Sequence, residues 1–250
     1  MAKKDSQKTF WKRLSLKKGR ARPFGGKRSL VTEIINALIH NKSSDLEINS
    51  FDKETMLSSF IEELAKARPD PGGGAAAAYG ISLSLALVEK VVRLELQRAE
   101  RSSDRIYLWE NSLAQLEQLR IIFSQLQERD IQAYFKLMKA RAEESQGPGM
   151  LEAVHEAVNC PLQIMKQAMA ALAVVSWAGG YCRKHLVSDL LVSCEMIRAA
   201  MQGAYHIACA NLELFDDLSW REPLEQELTK TSQEGRELFL RVREKLESRE

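Results

Sequence analysis

Pro69-Asp70-Pro71-Gly72-Gly73-Gly74-Ala75-Ala76-Ala77-Ala78 is the stretch whose reading decides the fold. Two prolines stiffen the approach, three glycines remove every side chain at the bend, and four alanines open a helix. The first N–H groups of a helix have no partner within it, and the helix dipole favours electron-rich groups beside them. A glycine-lined helix start therefore reads in two ways: a small-molecule site approached closely by backbone, or a place where two helices pack at short range.

Outward from this bend, apolar positions recur at three- and four-residue intervals. They predict helices at about 53–67, 75–100, 104–143, 151–178, 186–215 and 221–248, with no competing strand signal. The fold class is all-α, a bundle of about six helices. Composition agrees: 250 residues are 45% hydrophobic and 28% charged, with only thirteen glycines and six prolines. Ser102-Ser103-Asp104 can cap the third helix, Gln146-Gly147-Pro148-Gly149 is a turn, and Gly179-Gly180 fits the end of the fourth helix. Pro161 falls inside that helix and predicts a kink near Cys160. The run Ala75–Val88 is shorter than the roughly 20 residues needed to cross a bilayer, so no transmembrane helix is expected. The helix Ala75–Val92 is too apolar around its circumference for a surface position and belongs in a core or an interface.

Residues 1–50 read differently. Eleven lysines and arginines between Lys3 and Arg28 face Asp5 alone, a charge of about +10 that leaves about −8 for the rest of a chain whose net charge is +2. This basic, partly flexible extension is interleaved with Phe10, Trp11, Leu14 and Leu16. It is open to four readings: polyanion contact, an anchor on an anionic membrane surface, an organelle-targeting peptide, or a solvated tail. A short amphipathic helix at 30–39 and a polar linker at 41–50 follow, and the main domain, 51–250, begins near Phe51. Cys160, Cys182, Cys194 and Cys209 have neither C-x-x-C spacing nor the density of a disulfide scaffold. They predict free thiols in a reducing, cytoplasmic setting without a metal site.

The chemistry-bearing positions carry a resemblance. Phe60-Ile-Glu-Glu-Leu-Ala-Lys-Ala-Arg-Pro-Asp-Pro-Gly-Gly-Gly-Ala-Ala-Ala-Ala-Tyr-Gly80, followed by Leu85-Ala-Leu-Val-Glu-Lys-Val91, resembles the opening of the formiminotetrahydrofolate cyclodeaminase/methenyltetrahydrofolate cyclohydrolase family. Asp130-Ile-Gln-Ala-Tyr-Phe-Lys-Leu-Met138 is similar to its D-x-x-A-[FY] helix, and Ala157-Val-Asn-Cys-Pro-Leu162 to its A-x-x-x-P-L element. Ser188-Asp189-Leu190 and Gly203-Ala204 with Asn211-Leu212 then occupy the places of its S-D and G-A…N-L elements. The likeness covers about residues 51–250.

It implies an all-helical homodimer binding a reduced folate in a cleft made by the glycine loop and helix-borne acids. The implied activity is methenyltetrahydrofolate cyclohydrolase or formiminotetrahydrofolate cyclodeaminase, with a tetrahydrofolate derivative as substrate and no prosthetic group or metal. The catalytic candidates are Asp130 and Asp189. The substrate-binding candidates are Pro71, Gly72, Gly73, Gly74, Ala75, Ser188, Asn211 and Arg183, the last with Lys184 and His185 for a folate glutamate tail.

The residues alone leave alternatives open. Asp130 sits between Arg129 and an apolar stripe of Ala133, Tyr134, Leu137 and Met138, facing either solvent or the cleft. Ser188-Asp189 can be a helix N-cap. His206 reads as a packed histidine among apolar neighbours. The chain departs from the family pattern in three places. Cys182-Arg183 replaces Gly-Asn, Met138–Glu144 replaces a K-L-P-K-like segment, and Ile207 stands where the first Asn of N-V-x-x-N is expected. A non-catalytic helical dimer acting through its basic arm is the alternative reading, because a fold can outlive its activity.

Overall fold

A computed structural model describes residues 56–68, 70–99, 106–143, 147–214 and 218–249, all within one compact unit, Lys53–Glu250. The expected basic arm, the helix at 30–39, the linker at 41–50 and the Ser102-Ser103-Asp104 cap lie outside the described residues. Among those described there are six α-helices and no strand: α1 Met56–Leu64, α2 Gly73–Ala99, α3 Ile106–Glu143, α4 Pro148–Tyr181, α5 Val187–Leu212 and α6 Leu218–Glu247. A 3-10 turn, Lys184–Leu186, leads into α5.

The helices pack because each carries an apolar stripe at helical spacing. On α2, Ile81, Leu85, Val88 and Val92 are fully buried; on α3 the stripe is Trp109, Leu116, Leu119, Phe123, Leu126, Ala133 and Leu137. α2 packs against α3 and α5, and α4 packs against α3, α5 and α6. The run Ala75–Val88, on which the expectation of no transmembrane helix rests, is only part of the longer helix α2. Measured over their whole length, α2 and α4 are both long and apolar enough by composition. Their apolar surface, however, is turned inward, with 56% and 61% of the relevant windows buried in the bundle.

The helix boundaries also differ from the expectation for physical reasons. α4 starts at Pro148, whose missing N–H costs nothing in the first turn, and it continues through Pro161. It also continues through Gly179 and Gly180 instead of ending there. A Cβ on Gly179 would collide with the Leu246 side chain of α6, so this glycine permits close helix–helix approach. Lys245 Nζ donates to the Ser176 carbonyl at 2.7 Å, and the Arg249 guanidinium donates to the carbonyls of Gly179 and Cys182, supplying donors to the open end of α4. Ser188 is not the cap of α5: the N-cap is Leu186, and Ser188 lies exposed in the first turn.

Two buried carboxylates pin α2 to its neighbours. Glu89 pairs with Arg93 and with Arg120 of α3, at 2.7 and 2.9 Å. Glu95, fully buried, accepts from Arg98 Nε at 2.9 Å, from Arg183 Nε at 2.7 Å and from the Arg183 backbone N–H at 3.2 Å. Burial works against the charge on Glu95, but the Arg183 and Arg98 hydrogen bonds outweigh it and hold the carboxyl below its ordinary range. A depressed carboxyl pKa stabilises the fold above the unfolded value and loses that contribution as pH falls through the folded one. Glu95→Gln should therefore lower stability by about 2 kcal/mol at neutral pH, a fall in Tm of roughly 4–8 °C. The gap from wild type in thermal unfolding should close on acidification below the ordinary glutamate range; a gap that persists there would contradict the assignment.

Candidate functional site

The start of α2 has no local side-chain cap. Its N–H groups are met instead by a residue 55 positions away: Asp130 Oδ2 on α3 accepts from the Ala75 N–H at 2.9 Å. The neighbouring Ala76 N–H closes on the Gly72 carbonyl at 3.1 Å. Asp130 thus plays the part of an N-capping carboxylate from another helix, favoured by the positive end of the α2 dipole.

The glycines have distinct parts in this contact. A Cβ on Gly74 would fall on the Asp130 carboxylate, so only glycine lets the two helices meet with the acid between them. A Cβ on Gly73 would lie 3.1 Å from Ile207 Cδ1 of α5, a tight fit to the opposite wall. Gly72, Gly73, Gly74, Asp130, Tyr134, Ile207 and Asn211 enclose a cleft of about 100 Å³. Asn211 is held there by its Nδ2, which donates to the Ala157 carbonyl of α4 at 2.8 Å.

Burial pushes the Asp130 carboxyl above its ordinary range, and the Ala75 N–H offsets part of that rise. The adjacent Arg129 turns away and makes two parallel bonds to Glu156 of α4, at 2.6 and 3.0 Å, so its charge is engaged elsewhere. Cys160 is buried nearby. Burial, with the Asp130 charge second, pushes its thiol up to about 12, which keeps it protonated and inert as a nucleophile. The cleft therefore offers a carboxylate of enhanced basicity, a fixed amide and glycine backbone, with an isoleucine opposite.

The sequence candidates divide into two groups. Gly72, Gly73, Gly74, Asp130 and Asn211 come together in the cleft, and Ala75 contributes its N–H. Pro71 is half-buried on the approach, next to a cis Asp70–Pro71 peptide, and Pro69 lies outside the described residues. Asp189, Ser188 and Arg183 are not brought to the cleft within this chain. Asp189 pairs with Lys90 at 2.8 Å, and the Arg183 guanidinium is taken by Glu95. Lys90 and Glu95 stand 15 and 20 residues beyond Ala75 on α2, roughly 22 and 30 Å along a helix of 1.5 Å rise. His206, expected to be packed, is exposed with its Nε2 3.1 Å from Gln202 Nε2.

The reading from sequence missed Asp70, Ile131, Ala133, Tyr134, Leu137 and Ala157 as lining residues, and marked Ile207 only as a departure from the family pattern, not as the wall facing Gly73. A signal existed for Leu137: with Tyr134 it follows Asp130 at four- and seven-residue spacing, the same face of α3. The family pattern marks Ile207 as the place of an expected Asn, but its facing Gly73 follows only from the packing of α5 on α2.

The comparisons with known proteins agree with this architecture. The sequence profile described as formiminotransferase-cyclodeaminase matches residues 56–230. No curated protein sequence matches the chain. Among solved structures, a formiminotetrahydrofolate cyclodeaminase from Thermotoga maritima superposes with a TM-score of 0.71 at 23% identity, covering 78% of this chain and 98% of that one, a likeness of fold.

The steric argument predicts opposite outcomes for two glycines of α2. Gly74→Ala must displace the Asp130 carboxylate and should cost about 1–3 kcal/mol. Gly80, where a Cβ meets nothing within 4 Å, should gain about 0.5–1 kcal/mol on replacement by alanine in mid-helix. Chemical denaturation of the two variants checks both signs; an equal effect at the two sites would refute the role assigned to Gly74.

Proposed function

The chain belongs to the formiminotransferase-cyclodeaminase family, and from that premise we propose that it is a folate-dependent one-carbon enzyme, a methenyltetrahydrofolate cyclohydrolase before a formiminotetrahydrofolate cyclodeaminase. The observation that supports the reading is the Asp130 carboxylate, half-buried with raised basicity and clamped by the Ala75 N–H against the glycine bend.

Methenyltetrahydrofolate carries a delocalised cation over a carbon flanked by two ring nitrogens. A carboxylate beside that carbon favours the charge and can take a proton from the attacking water. Oxygen adds to the carbon, the carbon–nitrogen bond on one side breaks as the new carbonyl forms, and the five-membered ring opens. Of the two water protons, one ends on the nitrogen that leaves and the other passes to solvent. Asp130, accepting the first and returning it to the leaving nitrogen, would serve both stages. Burial that raises its pKa brings it closer to the working pH, where a general base is most effective. In cyclodeamination the same group would assist expulsion of ammonia from the formimino carbon.

One observation favours the second reading, a non-catalytic helical dimer acting through its basic arm. The cleft, about 100 Å³ with Ile207 over Gly73, is smaller than the roughly 300 Å³ at which ligand pockets begin, so a whole pterin requires α5 to give way.

One assay separates the two. Under the enzymatic reading, purified protein accelerates loss of the near-ultraviolet absorbance of methenyltetrahydrofolate, and Asp130→Asn lowers kcat/KM by at least about a hundredfold. A wild-type rate equal to the spontaneous one would sink the proposal. The acid limb of the kcat/KM profile should lie above the ordinary aspartate range, because the base must be ionised. Stability should move the other way. A raised carboxyl pKa costs the folded state once pH rises through it, so Asp130→Asn should match or exceed the wild-type Tm at pH 7–8 and lose any advantage in acid.

A further inference from the structure

The helix register around Pro161 explains how Asn211 is held, and what it offers a ligand. In a regular α-helix the N–H of residue i closes on the carbonyl of residue i−4. The partner of the Ala157 carbonyl in α4 would be the N–H of residue 161, and that residue is the proline inside the helix. Proline has no N–H, and its ring crowds the i−4 carbonyl. The acceptor so released is met at 2.8 Å by Asn211 Nδ2, reaching across from α5.

A carbonyl accepts only from a donor, so this contact fixes the orientation of the amide. The NH₂ end is committed to Ala157, and Oδ1, which has no partner among the described residues, is the acceptor left. Asn211 and Ala157 both border the cleft. The other polar side chains there are Asp130, Asp70 and the Tyr134 phenol, and no lysine or arginine is among the described residues of the lining.

We propose that Pro161 is a positioning residue: by freeing the Ala157 carbonyl it turns Asn211 into a fixed acceptor, so that the cleft takes the N–H-bearing edge of its ligand and not an anionic group. The polarity of the lining supports this. Asp70 and the oriented amide oxygen match the amino and ring N–H donors of a reduced pterin, whereas a carboxylate or phosphate would meet the like charge of two aspartates with no cation among the described lining residues to offset it. The ligand half rests on the folate reading above; the Pro161–Asn211 contact does not.

The experiment is a double-substitution cycle on the full-length chain with Pro161→Ala, Asn211→Ala and the pair. Alanine at 161 is a good helix former and supplies the missing N–H. Asn211→Ala should lower Tm in the wild-type background and by less than half as much in the Pro161→Ala background, where the Ala157 carbonyl has a new partner. Equal losses in the two backgrounds overturn the contact. The second readout is one that packing alone would not move. Pro161→Ala, with its Tm unchanged or raised, should increase KM for methenyltetrahydrofolate about tenfold while kcat stays within about twofold, the pattern of a lost uniform binding contact. An unchanged KM overturns the orienting role. Wild-type protein that neither binds nor turns over methenyltetrahydrofolate sinks the folate reading and the ligand half of this inference together, while the Tm cycle still upholds or overturns the contact.

Discussion

A carboxylate from one helix closing the open start of another is the constraint on which the rest of the structure depends. Asp130 of α3 lies against the N-terminus of α2, and Gly74 is bare so that it can. The contact fixes the depth to which α3 can approach α2 and leaves a charged group half-buried between them. Burial of that charge is unfavourable unless it is met by donors, and the Ala75 N–H meets it only in part. A carboxyl kept in that condition is poorly placed for stability and well placed for proton transfer, the balance expected at functional sites.

The two ends of α2 have different electrostatic characters. At its start Asp130 is held by the Ala75 N–H, and its basicity rises. At its far end Glu89 and Glu95 are also buried, but each is surrounded by arginines and is held below its ordinary range. The same residue class in the same helix bundle is tuned in opposite directions by what surrounds it: desolvation dominates in the first case, and hydrogen-bonded cations in the second. Arg183 belongs to the second set. Its guanidinium closes the α2 end against the segment entering α5, which makes it a structural cation in this chain.

The departures from the family pattern fall unevenly on this architecture. Ile207 is the consequential one, because it forms the wall over Gly73 and narrows the cleft. Cys182-Arg183 falls at the other end of α2, where Cys182 is buried and Arg183 is engaged by Glu95. The segment from Met138 to Glu143 simply continues α3 as helix, which the absence of proline there permits.

By itself, the sequence determined the all-helical class, the approximate bounds of six helices and the bend at Gly72–Gly74, and its family resemblance singled out Asp130 and Asn211. Periodicity of apolar side chains, glycine and proline are local signals that survive without coordinates. Only the tertiary structure decided that Asp130 faces the bend and not solvent, that Asp189 and Arg183 are drawn to Lys90 and Glu95, and that Ile207 closes the opposite wall. The reason is that a helix start, a buried charge and a freed carbonyl each choose a partner by proximity in space. Those partners lie 55, 88 and 54 residues away, where no spacing rule reaches.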